Sequence, residues 1–466
     1  MAAQKSWLIT TGLTLAGALT FVGARAQETA ADADAGVAVT VDVKSTLRYT
    51  DNFENEADPD GSTTYMRTDL GFGVLSETRS QRFEFNLHGQ VDAGDFPSSD
   101  GFETNLESHS ADLAYRHDTR DTRLQFSGLT RRREIRDSVI SPEFDLRDTE
   151  VDTGTLDVHR LAFGVETGRS APFGLKFGAS LRERDYSDVS SDNLFDSDTT
   201  NLDLSARFDV TPTLTLSPFV GLSEYNAEDT PETERDRTNV GLRVDHEISP
   251  GLAFDGQVSF DRIETTETQG GARRTDETDG TSARLGLTMD RSNGTIGTRY
   301  SSRISAAGRR DTFWVDRTLE LPDGSFGLSL GLTDSEDTDT RALAAVNYQR
   351  EMPTGAISAS LAQSADTALE DDDEVLRTRV TLAYDYQINS DSSLRAGVDF
   401  ANIDGLSDGA DDAQRARLNL SYNYGLSNDW DLTTGFEHSY SKRDDSANRT
   451  TNTVFMGLER SFSFRP

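Results

Sequence analysis

Nine arginines stand close to acidic stretches, on the polar positions of alternating polar and apolar runs, and their side chains could bind anions. A guanidinium presents a planar fork of donors that matches carboxylate and phosphate groups. Because all nine share one parity, we predict that they line one surface as a basic collar. They are Arg67, Arg237, Arg284, Arg303, Arg341, Arg377, Arg379, Arg415 and Arg417.

A second interpretation gives the same arginines a structural role. The acids Asp261, Asp399 and Glu437 fall on the same parity at a similar height, and opposite charges on neighbouring strands pair readily. The collar would then be a ladder of ion pairs that satisfies the charges of the wall. We favour the ladder over an anion-attracting collar, and the ratio of anion to cation permeability would distinguish the two.

The elements that must position these arginines are β-strands, because only a step of two sorts side chains in this way. Between Val380 and Ile388 the even positions are apolar or aromatic, and between Arg379 and Gln387 the odd positions are mostly polar. This alternation, interrupted by turns and acidic loops, recurs along the chain to Phe464. It predicts an all-β fold, a transmembrane antiparallel up-and-down β-barrel whose lumen the collar lines.

The first residues have the pattern of an export signal. Lys5 precedes an apolar stretch from Trp7 to Val22, and Ala24-Arg25-Ala26 has the small-x-small form of a cleavage site. A single membrane anchor is the weaker alternative, because threonines and a glycine interrupt the stretch. We therefore divide the chain into a signal peptide (1–26), an acidic tail (27–36) and an outer-membrane barrel (37–466).

Composition agrees with a barrel. After residue 26 no stretch is apolar for about 20 residues, the length of a spanning helix, and a closed sheet is the other structure that satisfies the backbone in lipid. An apolar content of 35% fits, because half of each strand faces water.

The net charge of −35 disfavours nucleic acid as a partner. The chain has no cysteine, which excludes thiolate sites, and we predict no metal and no cofactor.

Ten short turns and several long loops alternate along the chain. The turns, rich in Gly, Pro, Asn, Asp and Ser, are predicted at 77–81, 117–121, 167–172, 211–213, 249–251, 290–294, 322–325, 351–354, 389–391 and 427–429. The longer, extracellular loops include 52–63, 131–155, 185–198, 262–280, 365–374, 403–412 and 442–449. Together they predict about 22 strands with both termini in the periplasm. Twenty strands would also fit, because strands 13 and 14 are poorly patterned.

Two arginines and a group of aromatic residues fall on the lipid parity. At the bilayer midplane Arg317 would cost about 2 to 4 kcal/mol, so we expect it to snorkel to an interface or the register to shift there. Arg460 raises the same question nearer the periplasm. An aromatic girdle is predicted at the short-turn end of the strands. Its members are Tyr115, Phe208, Phe326, Tyr348, Tyr384, Tyr386, Tyr424, Trp430, Phe462 and Phe464.

Two terminal motifs resemble those of known outer-membrane proteins. The last strand, with Phe462 and Phe464, resembles the C-terminal signal by which the barrel-assembly machinery recognises β-barrels, although Arg465 and Pro466 follow it here. The segment Tyr49-Thr-Asp-Asn-Phe53 resembles the opening of the β-barrel porin type 2 family of Gram-negative bacteria. That resemblance implies a porin-like protein of the cell outer membrane with a link to exopolysaccharide export.

The longest loop, 131–155, begins with a basic cluster. Arg131, Arg132, Arg133 and Arg136 would suit a loop folded into the lumen as a constriction, with a solvated surface loop as the favoured alternative. The acidic run 370–374 could hold divalent cations near lipopolysaccharide. It lacks the spacing of known calcium motifs, so a solvated charge run is the better interpretation.

These patterns lead to a functional hypothesis with alternatives. We expect a porin-like channel for passive diffusion of small hydrophilic solutes; the alternatives are an exopolysaccharide export conduit and a structural or adhesive barrel. An enzyme is not expected, because the six histidines are scattered along the chain and the sequence has no nucleophile elbow. A TonB-type transporter is not expected either, because residues 27–36 leave no room for a plug. The expected partners are outer-membrane lipid, lipopolysaccharide, the assembly machinery and small solutes or saccharides, with the oligomeric state open.

Overall fold

The computed structural model describes residues 36–59, 61–97, 101–135, 154–336, 338–367, 374–406, 412–427, 429–443 and 447–465. All regular secondary structure in these ranges is β-strand, which confirms the predicted all-β class. The signal peptide and residues 27–35 of the acidic tail lie outside the described residues, so their boundaries stay predictions. Among the described residues, no helix is long and apolar enough to cross a membrane.

Twenty-two strands follow one another along the chain. The first eleven are β1 (Gly36–Thr50), β2 (Thr63–Glu77), β3 (Gln81–Asp95), β4 (Phe102–Asp118), β5 (Arg123–Glu134), β6 (Thr155–Thr167), β7 (Phe173–Ser187), β8 (Ser197–Thr211), β9 (Leu214–Ala227), β10 (Thr233–Ser249) and β11 (Leu252–Gln269). The others are β12 (Ala272–Arg291), β13 (Gly294–Ser305), β14 (Gly308–Leu321), β15 (Gly324–Ser335), β16 (Arg341–Met352), β17 (Gly355–Thr367), β18 (Glu374–Asn389), β19 (Ser392–Gly405), β20 (Ala413–Gly425), β21 (Asp431–Arg443) and β22 (Arg449–Phe464).

The sheet closes on itself. Each strand pairs antiparallel with the next, and β1 pairs with β22 from Val39–Phe464 to Thr50–Thr453. The predicted count of 22 is therefore confirmed, and each predicted short turn joins two strands at one end of the barrel. In outer-membrane barrels the short-turn end is periplasmic and the long-loop end is extracellular, and we use these names for the two ends.

One predicted loop is wrong. Residues 262–280 are not a loop, because β11 and β12 stay paired up to Gln269–Ala272. Gly270 and Gly271 join them with φ angles of +57° and +81°, the geometry of a tight primed turn, which glycine adopts without strain. Above the membrane both faces of a strand meet water, so apolar alternation fades there and the strand is hard to recognise in sequence.

The two faces of the sheet differ as the alternation predicts. On the outer face Leu47 and Leu330 are 54% and 55% exposed to what would be lipid, whereas Thr46 and Asp92 on the inner face are 1% and 0% exposed. Glycine lets one large ring lie flat on the inner face. A Cβ at Gly331 would stand 2.7 Å from the indole of Trp314 on the next strand, so this position accommodates the ring only as glycine.

Both arginines of the lipid face reach the periplasmic interface. Arg317 donates to the carbonyl of Thr295 at 2.9 Å and to Asn293 Oδ1 at 2.5 Å, beside the turn before β13. The β13–β14 register is continuous, so Arg317 snorkels and no register shift occurs. Arg460 lies over the ring of Phe462, with its guanidinium carbon 4.3 Å from the ring centre. This cation–π contact places Arg460 within the girdle.

Candidate functional site: the inner wall at the extracellular end

The sheet register places all nine predicted arginines on the inner face. Arg379 pairs with Ala401, and Ala401 pairs with Arg415, so these side chains point to the same side of the sheet. The outward positions next to them are apolar and open, as Leu382 and Leu418 illustrate with exposures of 45% and 39%. The inner wall near the extracellular end is therefore the surface where a collar would act.

Two collar arginines hold buried carboxylates. Arg67 donates from Nε and Nη2 to Asp92 at 2.8 and 2.6 Å, and Asp92 is fully buried. Arg237 donates to Asp261 Oδ1 at 2.7 Å, and Asp261, also fully buried, further accepts from Asn239 at 3.2 Å. A carboxylate can be buried in this way only when its oxygens are bonded, so these arginines belong to the wall.

A third pair includes a residue that the sequence analysis missed. Arg417 lies 3.7 Å from Glu437, but the closer partner of Glu437 is Arg48, whose Nη2 is 2.5 Å from Oε2. Arg48 reaches Glu437 from β1 across β22. Inward parity in β1 was the signal that could have identified it. Asp399, expected to pair with an arginine, instead accepts from the hydroxyl of Thr381 at 3.1 Å.

Four collar arginines behave differently from these. Arg284, Arg303, Arg341 and Arg379 form no ion pair in the part of the chain that the structure describes. They lie on β12, β13, β16 and β18, on one side of the barrel. The predicted ion-pair ladder therefore fits one side of the collar, and four unpaired guanidinium groups mark the other, which we call the basic side.

The mouth of the lumen is lined by apolar clusters as well as charges. On β1–β3 the ring of Phe53 stacks on Phe96 at 4.6 Å and meets Tyr65 edge-on at 5.1 Å. On β18–β20 a fully buried cluster lies beside Arg377 and Arg415. Its members are Val375, Ala401, Ile403 and Ala413. A third cluster, with Leu156 and Ile135, lies at β5–β6. A freely open porin mouth would be polar at these positions.

The predicted constriction arginines are mostly strand residues. Arg131, Arg132 and Arg133 lie in β5, which runs to Glu134, so placing them in a loop is wrong. Arg132 points outward and contacts Asp157 at 2.5 Å, in register with its strand partner. Arg136 and most of the loop lie outside the described residues, so whether the loop constricts the lumen stays a prediction, as does binding of cations by residues 370–373.

A carboxylate ties the tops of distant strands together. Glu374 begins β18 and accepts from Ser335 Oγ at 2.5 Å and from Thr338 Oγ1 at 2.6 Å, and Arg310 Nη2 lies 2.6 Å from its Oε1. These partners belong to β14, β15 and the connection after β15. The Glu374 strap, as we call this group, therefore links β18 to β14 and β15 across β16 and β17.

Comparison with known proteins identifies the fold. No family model matches the chain, and no curated protein does, so the resemblance to the β-barrel porin type 2 family is not confirmed. Among solved structures, the ferric-catecholate import receptor Fiu of E. coli K12 matches with a TM-score of 0.60 and 10% identity, over 92% of this chain and 82% of that one. The FrpB iron transporter of Neisseria meningitidis matches with 0.59 and 10%, over 94% and 83%.

A third match extends the comparison. The ferric enterobactin receptor PfeA of Pseudomonas aeruginosa, in complex with enterobactin, has a TM-score of 0.56 and 11% identity, over 92% of this chain and 82% of that one. At such identities the likeness establishes the fold, and a closed barrel of this kind belongs in the outer membrane.

These comparisons also correct the predicted function. The matched barrels are a ferric enterobactin receptor, a ferric-catecholate import receptor and an iron transporter, which are transport proteins and not enzymes. The predicted passive-diffusion porin is therefore wrong, and neither the export conduit nor the structural or adhesive barrel finds support among the matches.

Proposed function

We propose that this chain is a ligand-specific transport receptor of the outer membrane that binds a small anionic ligand on the basic side of its lumen. The observation that carries the proposal is a set of four inward arginines, Arg284, Arg303, Arg341 and Arg379, that have no acidic partner among the described residues. In a chain of net charge −35, acids to pair with them were plentiful. Unpaired like charges on nearby strands repel one another, and a bound anion removes that repulsion.

The arrangement suits a small anion with several oxygen atoms. Guanidinium groups on different strands can each bind an oxygen pair of an anion that reaches them. Trp314, held flat by Gly331 on β14–β15, adds an aromatic surface between these strands. Two of the matched proteins are receptors for ferric enterobactin and for ferric catecholates. Ferric tris-catecholate is a compact trianion and is therefore the probe that we choose.

The mouth supports the same interpretation. Buried apolar clusters pack at the extracellular ends of β1–β3 and β18–β20, where the mouth of an open porin would be polar. The basic side lies below an acidic exterior, so an anion must be attracted by local charge and not by the net field. Lipid, lipopolysaccharide and the assembly machinery, with Phe462 and Phe464 as its signal, stay predicted partners.

The test is a binding titration on the purified full barrel in detergent. Quenching of tryptophan fluorescence by ferric tris-catecholate should saturate for the parent protein. The triple variant R284Q/R303Q/R341Q should bind at least about tenfold more weakly, because a hydrogen bond to a charged group contributes about 1.5 to 3 kcal/mol.

The matched control removes the same charge elsewhere. Arg262, Arg273 and Arg274 lie at the exposed end of the β11–β12 hairpin, and their side chains are 54%, 65% and 75% exposed. The variant R262Q/R273Q/R274Q should keep the parent affinity within about twofold. Quenching that never saturates, or equal loss in both triple variants, would reject a specific anion site on the basic side.

A further inference from the structure

Among the described strands, β16 and β17 are unpaired with each other in their upper halves. Their ladder comprises eight residue pairs, from Ala345–Ala362 to Met352–Gly355, and is the shortest between neighbouring strands in the described sheet. Above it, β16 continues to Arg341 paired with β15, and β17 continues to Thr367 paired with β18. Residues 341–344 and 363–367 are thus strand residues that do not pair with each other across the seam.

A side chain substitutes for the missing ladder. Gln363 Oε1 accepts from the backbone N–H of Ala344 at 3.0 Å, and Gln363 Nε2 donates to Thr378 Oγ1 at 3.2 Å. Gln363 lies on the outer parity, at a height where Leu332 of β15 is 54% exposed. An amide that faces lipid is costly unless it is bonded. Its two hydrogen bonds explain why this residue is a glutamine. They bridge the middle of the unpaired region between residues 341–344 and 363–367, which we call the gap.

The side chains around the gap decide what could pass through it. Three residues that flank it on the outer parity, Ala342, Ala344 and Ala365, carry only methyl side chains, and Gln363 lies between them. Arg341 borders a cavity of about 490 Å³ at the top of β15 and β16, which Asp334, Glu336 and Asp339 also line. Arg379 lies one strand beyond β17, level with Ala362 at the lower end of the gap. A gap flanked by alanine side chains therefore leads inward towards Arg341 and Arg379, which form no ion pair among the described residues.

The Glu374 strap lies at the top of the same gap. Its hydroxyl donors, Ser335 and Thr338, belong to the β15 side, and Glu374 belongs to the β18 side. The strap holds the two sides of the gap together where the β16–β17 ladder is absent. Gln363 and the strap are thus two closures of one opening, each made of a few hydrogen bonds that can exchange without disturbing the rest of the sheet.

We propose that the upper β16–β17 seam is a lateral gate through which the acyl chain of an anionic amphiphile passes between the lumen and the outer leaflet, while Arg341 and Arg379 bind its head group. This inference rests on the proposed function and gives its ligand a chemical class. An acyl chain needs an apolar path and a charged head needs a cation, and this seam offers both within one strand width.

The experiment uses the absence of cysteine from the chain. The pair A344C/Q363C locks the gate when oxidised, and the control pair L330C/A344C joins β15 to β16, where Leu330 and Ala344 are register partners. Full-length protein in lipid nanodiscs is exposed to a photoreactive laurate, and adducts are mapped by mass spectrometry. Adducts should concentrate on residues 341–344 and 363–365. Oxidation should lower them at least about tenfold in the lock and leave the control unchanged.

Several results would overturn the gate. Adducts spread evenly over the outer apolar face would do so, as would labelling that oxidation of the lock does not change. The head-group assignment fails if R379Q labels as strongly as Q349A, a variant of a glutamine within the intact β16–β17 ladder. Ferric tris-catecholate, titrated on the same proteins, separates the two proposals. If it binds while laurate labels nothing, the gate fails and the proposed function stands; if it does not bind, the proposed function fails.

Discussion

Two seams of this barrel differ in an instructive way. The β1–β22 seam joins the two ends of the chain and is heavily reinforced: it has twelve residue pairs, an Arg48–Glu437 contact that spans β22, and a knot of side chains at its top. The β16–β17 seam joins strands that are neighbours in sequence and has eight pairs and one bridging glutamine. Chain connectivity does not predict where the wall is weak.

The knot at the closing seam gives the terminal motif a structural role. Asp51 Oδ1 accepts from the backbone N–H of Asn452 at 2.7 Å, and Asn52 donates to the carbonyls of Thr450 at 3.0 Å and Glu56 at 2.7 Å. Phe53 packs at the mouth beside them. The segment after β1 thus ties the first strand to the last, a contact between residues about 400 positions apart that loop closure makes entropically costly.

The largest expected effect follows from removing the ion pair at the closing seam. R48A leaves the partly buried Glu437 with only its longer contact to Arg417 at 3.7 Å. We expect the free energy of unfolding to fall by about 3 kcal/mol, because Glu437 loses a charge-assisted hydrogen bond. Guanidinium denaturation in detergent measures it. The control R274A, at the exposed hairpin end, should change stability by less than about 0.5 kcal/mol; equal losses would show that the seam is not specially reinforced.

The knot should matter somewhat less. Asn52 is 2% exposed, and N52A removes its bonds to Thr450 and Glu56. We expect a loss of about 2 kcal/mol, together with a lower temperature for heat-modifiable migration on gels. N193A changes an exposed asparagine of the β7–β8 connection and should leave that temperature unchanged. If N52A unfolds like the parent, the hydrogen bonds of Asn52 do not stabilise the closing seam.

The open seam should respond locally. Q363A leaves the N–H of Ala344 without an acceptor, and we expect a global loss of about 1 kcal/mol or less. Hydrogen exchange of residues 341–344 should quicken about tenfold, while exchange across β1–β22 stays the same. Q349A, in the intact ladder of the same strands, serves as the control. Slow exchange at Ala344 in Q363A would mean that the seam is closed by other groups.

The smallest effect is expected far from both seams, in a periplasmic turn. Asp121 accepts from Ser170 Oγ at 2.9 Å, and this bond, with backbone donors of Ser170 and Gly168, holds the pKa of Asp121 below its ordinary value of 3.8. A lowered folded-state pKa adds stability that is present above pH 3.8 and is lost as the pH falls through the folded pKa. D121N should therefore differ slightly from the parent at pH 7 and converge with it in strong acid.

Denaturation curves at pH 7 and below pH 3 test this, with D323N in the turn before β15 as the control. If the free energies of unfolding of D121N and the parent differ equally at both pH values, ionisation of Asp121 does not stabilise its contact with Ser170.

Much of the fold could be predicted because strand parity is local. The alternation from Val380 to Ile388 sets which side chains face lipid, and the glycine- and proline-rich turns set where strands end. The β11–β12 extension was missed because Arg262 and Glu277 pair on an outer face that is polar like the inner one, so alternation carries no signal there.

The site was predictable in part for the same reason. Parity placed Arg284 and Arg379 on the inner wall, but whether each meets a carboxylate depends on register and on side-chain reach across strands. Arg48 reaches Glu437 past an entire strand, and Gln363 bonds to strands on either side of β17. Such contacts depend on spatial neighbours one or two strands away, which no pattern within a single strand encodes.

Trp314 and Trp430 are the two tryptophans among the described residues, and they lie on opposite faces of the wall. Trp314 rests on Gly331 inside the lumen, and Trp430 faces outward beside Arg460 at the periplasmic interface. Iodide dissolved in water reaches the first indole, whereas brominated acyl chains reach the second. The protein's own fluorescence therefore reports separately on its aqueous interior and its lipid boundary, with no added label.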